Sequence, residues 1–189
     1  MEMKRFAILT MTALTLGACS DSSSVEEDYK ISASRATSIS EDKGVITVTS
    51  EFHRGDATTK TEYVLTSYGI RTPLGQNPNT GAYVTIENKS KADDRLISAS
   101  CECAARTELH TMSMVDGQMS MSAVPEGFEI KAGEKLVLAP GGNHIMLFDL
   151  KARPTEGATQ EMYLNFARIG PVTIDMPVSM TPTTPADHH

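Results

Sequence analysis

Residues 107–124 read T-E-L-H-T-M-S-M-V-D-G-Q-M-S-M-S-A-V. Two runs of alternating side chains flank Asp116-Gly117, a dipeptide that strongly favours the two-residue loop of a β-hairpin. A loop of that length pairs Val115 with Gln118, Met114 with Met119 and Met112 with Met121. Alternate residues of a strand share a face, so His110, Met112, Met114, Met119 and Met121 fall on one side. Leu109, Thr111, Ser113 and Val115 fall on the other. The pattern predicts strands rather than helices, and it sets the reading of the rest of the chain.

Outward from the hairpin, short β-branched or alternating runs recur between turn residues. Residues 83–87 form a strand that stops at Asn88-Lys89-Ser90, and residues 95–100 form another. Downstream, residues 135–139, 144–150, 160–167 and 172–178 repeat the pattern, with Pro140-Gly141-Gly142 as a turn between two of them. Strands at such spacing predict an all-β sandwich or barrel. The main domain is expected over residues 62–178. Residues 44–61 hold a further strand and a polar loop, which local pattern alone does not attach to that domain. Residues 179–189 are rich in Pro and Thr, end in His188-His189, and read as a flexible tail.

The chain has 189 residues, 40% of them hydrophobic, which suits one domain with tails. Residues 1–18 read as an address: Lys4 and Arg5, a short apolar run, then Leu16-Gly17-Ala18 before Cys19. The run is too short to span a bilayer. It resembles a bacterial lipoprotein signal, cleaved before Cys19, which would carry lipid and anchor the protein to a membrane. The other reading is an ordinary signal cut near Ala18. Residues 19–43, rich in Ser, Asp and Glu, read as a tether. Both readings place the mature protein outside the cytoplasm. Ser20 after Cys19 favours the outer membrane where a host sorts by that position. A formal charge of −7 with no basic patch argues against nucleic acid as a partner.

Thioether sulfur and neutral imidazole together favour Cu(I) over zinc, calcium or magnesium. His144 and Met146 are also two residues apart, so one strand aims both at one face. Two His/Met sets facing each other would make a His2Met2 site. Thioethers bind without losing a proton and more weakly than thiolates, which suits a carrier in an oxidising compartment. Methionine is also a common core filler. Five soft ligands within twelve residues, opposite a face that already carries Leu109 and Val115, favour the metal reading.

With these residues in hand, the chain resembles the periplasmic copper chaperones of the PCuAC type. The likeness runs through G-A-Y-V-T-I-E-N-K-S-K-A-D-D-R-L-I-S-A-S, then E-L-H, M-S-M and P-G-G-N-H-I-M-L, and spans residues 62–178. It implies a cupredoxin-like or immunoglobulin-like Greek-key β-sandwich that binds Cu(I). It also implies delivery toward cytochrome c oxidase assembly, with an oxidase subunit or another copper chaperone as acceptor. By position the implied ligands are His110, Met121, His144 and Met146. Ten residues separate the first two, as the family motif asks. Twenty-two separate Met121 from His144, one more than expected, and the loop at Pro125 is where an insertion would fit. Met112, Met114 and Met119 lie outside the four, as extra ligands, as a transfer path, or as partly buried rim residues.

Cys101 and Cys103 form a C-x-C pair with three readings: a disulfide, a further copper site, or a redox pair. In an extended strand their Cα atoms would lie about 6.6–6.8 Å apart, at the upper limit for a disulfide, so a bond requires a kink. The cysteines keep a thiol-disulfide reductase in view as an alternative function, although no thioredoxin-like βαβ pattern accompanies them. A copper-buffering envelope lipoprotein is a third reading. No nucleophile elbow or phosphate loop occurs, so a non-enzymatic function is expected.

Overall fold

The computed structural model describes residues 33–54, 56–115 and 117–182. Among these residues there are twelve strands and no helix. In chain order they are β1 (Ala33–Asp42), β2 (Val45–Arg54), β3 (Ala57–Arg71), β4 (Thr80–Asn88), β5 (Asp94–Ser100) and β6 (Ala104–Val115). There follow β7 (Gln118–Ala123), β8 (Phe128–Ile130), β9 (Lys135–Leu138), β10 (His144–Leu150), β11 (Thr159–Phe166) and β12 (Gly170–Ser179). The fold is all-β. The signal with Cys19, the first part of the expected tether and the terminal His188-His189 lie outside the described residues, as does Asp116.

Two ladders carry the strands. The first runs β7-β6-β10-β4-β3, with β9 also on β4, and with β2 and then β1 continuing from β3. The second runs β12-β11-β5-β8. β12 joins them, because its end pairs in parallel with β3 (Val178 with Ile70, Ser179 with Arg71) while the rest pairs antiparallel with β11. Its sequence G-P-V-T-I-D-M-P-V-S alternates cleanly. Val172, Ile174, Met176 and Val178 are buried, whereas Pro171, Thr173, Asp175 and Pro177 are exposed, as expected of a strand with one solvated face.

The core between the ladders holds Leu65, Ile70, Val84, Ile86, Leu96, Ile145, Leu147, Met162 and Leu164, each fully buried. Tyr63 on β3 stacks obliquely on Phe166 of β11, ring centroids 5.2 Å apart. Its hydroxyl donates to Asp94 on β5. The other oxygen of Asp94 accepts the backbone N–H groups of Arg95 and Arg168 at 2.7 and 2.9 Å. One buried tyrosine therefore ties the two ladders through both packing and a hydrogen bond.

One open point closes and one expectation changes. The strand expected within residues 44–61 belongs to the main sheet: β2 pairs β3 from Ile46↔Leu65 to Arg54↔Ala57 and places Ile46 and Val48 in the core. Residues 33–42, expected as tether, form β1, paired with β2 along its length. The reason is the turn between them. Lys43 (φ 49°) and Gly44 (φ 72°) are both left-handed, as a two-residue type I′ hairpin loop requires. Residues 36–42 are exposed, so an edge strand here needs no apolar face and has the composition of a tether.

The chain passes from the second ladder to the first at residues 101–103. There Cys101 and Cys103 are joined in a disulfide with their Cα atoms 5.2 Å apart, and the turn supplies the kink that the spacing demanded.

Candidate metal centre

β6 is the spine of the site. β7 pairs it on one side with Val115↔Gln118, Met114↔Met119, Met112↔Met121 and His110↔Ala123. β10 pairs it on the other side with His144↔His110, Ile145↔Leu109 and Met146↔Glu108. Leu109 and Ile145 point into the core. By alternation, His110, His144 and Met146 share the opposite face with Arg106, Glu108 and Phe148.

Two imidazoles from strands remote in sequence thus face each other directly. Their ring centroids are 5.8 Å apart, and both residues are buried, His110 at 6% exposure and His144 at 8%. Each ring is oriented by a hydrogen bond through one nitrogen. His110 Nε2 lies 2.8 Å from Glu108 Oε2. A carboxylate only accepts, so Nε2 carries a proton, and in the neutral ring Nδ1 carries the lone pair. That Nδ1 is buried and has no hydrogen-bond partner. His144 Nδ1 donates to the Gly142 carbonyl at 3.0 Å, which leaves its Nε2 lone pair free. The Gly142 carbonyl is set by a tight turn in which Gly141 is left-handed (φ 79°) and Gly142 N–H bonds to Ala139 O.

Such outer partners, one on each ring, are the usual means of fixing tautomer and direction in a metal-ligating histidine. Arg106 continues the strip: it pairs with Glu108 and lies 4.1 Å over the Phe148 ring. The hydrogen bond from His110, helped by the Arg106 charge, holds the Glu108 carboxyl below the usual carboxylate range. Glu108 is not singled out in the sequence, although its place two residues before His110 puts it on the same face. Among the described residues, no three of His, Cys, Asp and Glu gather in a way that holds a metal.

The methionines are placed unequally. Met146 lies between His144 and Phe148 on β10, and both of those rings sit 5.8 Å from His110. Met121 is on the third strand, diagonal to His110 and 45% exposed. Diagonal neighbours lie about 7–8 Å apart, within reach of a long side chain. Met112 is half-buried between them, while Met114 and Met119 are exposed farther out on the hairpin. Cys101 and Cys103 are bonded to each other and buried in the core, so in this state neither offers a thiolate.

Residues 63–178 match the LpqE-like family of lipoproteins. The chain belongs to the LpqE-like family. A protein of Leifsonia xyli subsp. xyli (strain CTCB07) named as a lipoprotein, Lxx21020, is 32% identical over 99 residues. The match covers 52% of this LpqE-like chain and spans 60% of the length of that relative. Among solved structures, the copper-bound PCuAC domain from PmoF2 is similar with a TM-score of 0.51 at 24% identity, over 62% of this chain and 92% of that domain. The Cu(I) form of DR1885 from Deinococcus radiodurans has a TM-score of 0.51 at 26% identity, over 60% of this chain and 75% of that one. This LpqE-like chain has the PCuAC β-fold, as the motif resemblance implied.

Proposed function

We propose that this chain is an extracytoplasmic copper carrier. In this reading it binds Cu(I) through His110, His144, Met146 and Met121 and passes it to an acceptor protein. The observation that carries the proposal is the pair of facing imidazoles, each with one nitrogen anchored and one lone pair free, and with the His110 lone pair buried and orphaned. A buried polar atom without a partner costs about 1–3 kcal/mol, and a bound ion would remove that cost. Neutral imidazole and thioether ligands select a soft, low-charge ion such as Cu(I). The lipoprotein family, the Cys19 signal and the copper named in the solved relatives support the same reading. Lipid on Cys19 would hold the carrier at the envelope membrane, with the outer membrane favoured.

Hand-over proceeds by ligand exchange. No proton has to leave the thioethers when copper binds or departs, and the ion keeps its charge. Met121, exposed on β7, is the ligand an acceptor would meet first. Delivery toward cytochrome c oxidase is the role that the PCuAC resemblance implies. The reductase alternative fares worse, because both cysteines of the C-x-C pair are buried.

The test is Cu(I) titration against a chromophoric chelator, with X-ray absorption on the loaded protein. The high-affinity equivalent is expected to show mixed nitrogen and sulfur ligation and to vanish in the His144→Ala/Met146→Ala double variant. An unchanged affinity in that variant would remove the proposal. Loss of oxidase copper in a deletion strain at limiting copper separates delivery from simple buffering.

A further inference from the structure

The β6–β7 hairpin carries more soft ligand than the imidazole site can use. Met112 faces Met121 and Met114 faces Met119. Alternation puts all four on one face, and Thr111, Ser113, Ser120 and Ser122 on the other. Met112, Thr111 and Ser120 are half-buried, and the rest of both faces is open. Met114, Met119 and Met121 are 66%, 53% and 45% exposed, and Ser113 and Ser122 are exposed behind them. Methionine as core filler looks different in this molecule: Met162 and Met176 are completely buried. A hairpin that leaves three methionines of its thioether face in water forgoes the roughly 25 cal/mol per Å² that burying them would contribute.

From this pairing we propose a second metal site on the hairpin. It is made of thioethers alone, takes Cu(I) or Ag(I), and lies outside the imidazole pair. Directly opposed Cβ atoms lie about 4.5–5.5 Å apart, and successive same-face positions about 6.6–6.8 Å apart along a strand. The flexible side chains of Met112, Met114 and Met119, at three corners of that patch, converge on one ion without moving the backbone, and Met121 at the fourth corner serves either this ion or the one at the imidazole pair. Thioethers bind soft d¹⁰ ions and ignore zinc, calcium and magnesium, so the patch is selective although it is open. It is built from uncharged donors, and loading it releases no proton. Met121 belongs to both this patch and the proposed imidazole site, so an ion captured at the hairpin tip has a continuous set of sulfur ligands leading inward.

The experiment titrates Ag(I) and Cu(I) into three forms of the protein, following the methionine ε-methyl NMR signals and the stoichiometry. The forms are wild type, Met114→Leu/Met119→Leu and His110→Ala/His144→Ala. Leucine keeps the apolar bulk of the exposed pair, so the hairpin is retained. Wild type is expected to bind a second equivalent that shifts the ε-methyl signals of Met114 and Met119. The leucine variant is expected to lose that equivalent and keep the tight one. The alanine variant is expected to lose the tight one and keep the hairpin one. A wild type that saturates at one equivalent with the Met114 and Met119 methyls unmoved overturns the hairpin site, as does a leucine variant that still binds two. The imidazole reading fails separately, if the alanine variant keeps every equivalent.

Discussion

At the scale of single residues, Glu108 decides which nitrogen of His110 is available. Its carboxylate oxygen lies 2.8 Å from Nε2 and accepts that N–H, and in the neutral ring Nδ1 is left as the only lone pair on offer. Glu108→Leu removes the acceptor, so the ring is free to take the other tautomer or to rotate. Losing such an outer partner typically costs 10–100-fold in metal affinity. Cu(I) affinity measured by chelator competition is expected to fall by about that factor in Glu108→Leu. In Glu108→Gln, whose amide oxygen still accepts, it should fall much less. Ring ¹⁵N shifts of the metal-free protein should show the His110 proton on Nε2 in wild type and in the Gln variant, and on both nitrogens in the Leu variant. Equal affinities in all three proteins would mean that Glu108 serves only its ion pair with Arg106.

At the scale of elements, two glycines that flank β7 and β8 separate conformational strain from collision. Gly117 at the hairpin tip is left-handed (φ +78°) with open space where a Cβ would stand. Gly127 is left-handed as well (φ +76°), but a Cβ there would lie 2.1 Å from the Leu96 carbonyl oxygen on β5. Gly117→Ala should cost only the left-handed penalty, about 1–2 kcal/mol. Gly127→Ala forces two backbones apart and should exceed about 3 kcal/mol, in the destabilising tail of single substitutions. Urea midpoints of the two variants check this, and comparable losses would contradict the contact at Leu96. The same elements show what a sequence can tell. Asp-Gly between alternating runs specifies the β6–β7 register locally, down to Met112↔Met121. β1 was hidden because an edge strand with exposed side chains has the composition of a tether, and only the Lys43-Gly44 turn betrays it. The facing of His144 and His110 comes from β10 pairing with β6 across more than thirty residues, and no local period encodes it. For that reason each His/Met set was legible as a face from its local period, while their meeting was legible only through the PCuAC resemblance.

At the scale of the molecule, the two ladders are held together by a buried phenol as well as by apolar packing. Burial, and then the hydrogen bond to Asp94, raise the Tyr63 pKa well above its ordinary value of 10. Tyr68 is raised too, by burial and then by its bond to Glu41. A raised folded-state pKa means that the neutral phenol is the form the fold stabilises. The stabilisation is complete below pH 10 and is lost as pH climbs from 10 toward the folded value. Each such group steepens the alkaline loss by up to about 1.4 kcal/mol per pH unit. Tyr63→Phe keeps the ring against Phe166 but deletes the titrating proton and one donor to Asp94. At pH 7 it should therefore be less stable than wild type by about 1–3 kcal/mol. Above pH 10 the wild-type curve should fall toward that of the variant, because the two proteins differ only in the Tyr63 hydroxyl. Urea unfolding from pH 7 to 11 provides the comparison. Parallel curves over that range would show that the phenol of Tyr63 ionises within the fold as readily as in water, which a tie between the ladders through a neutral hydroxyl does not allow.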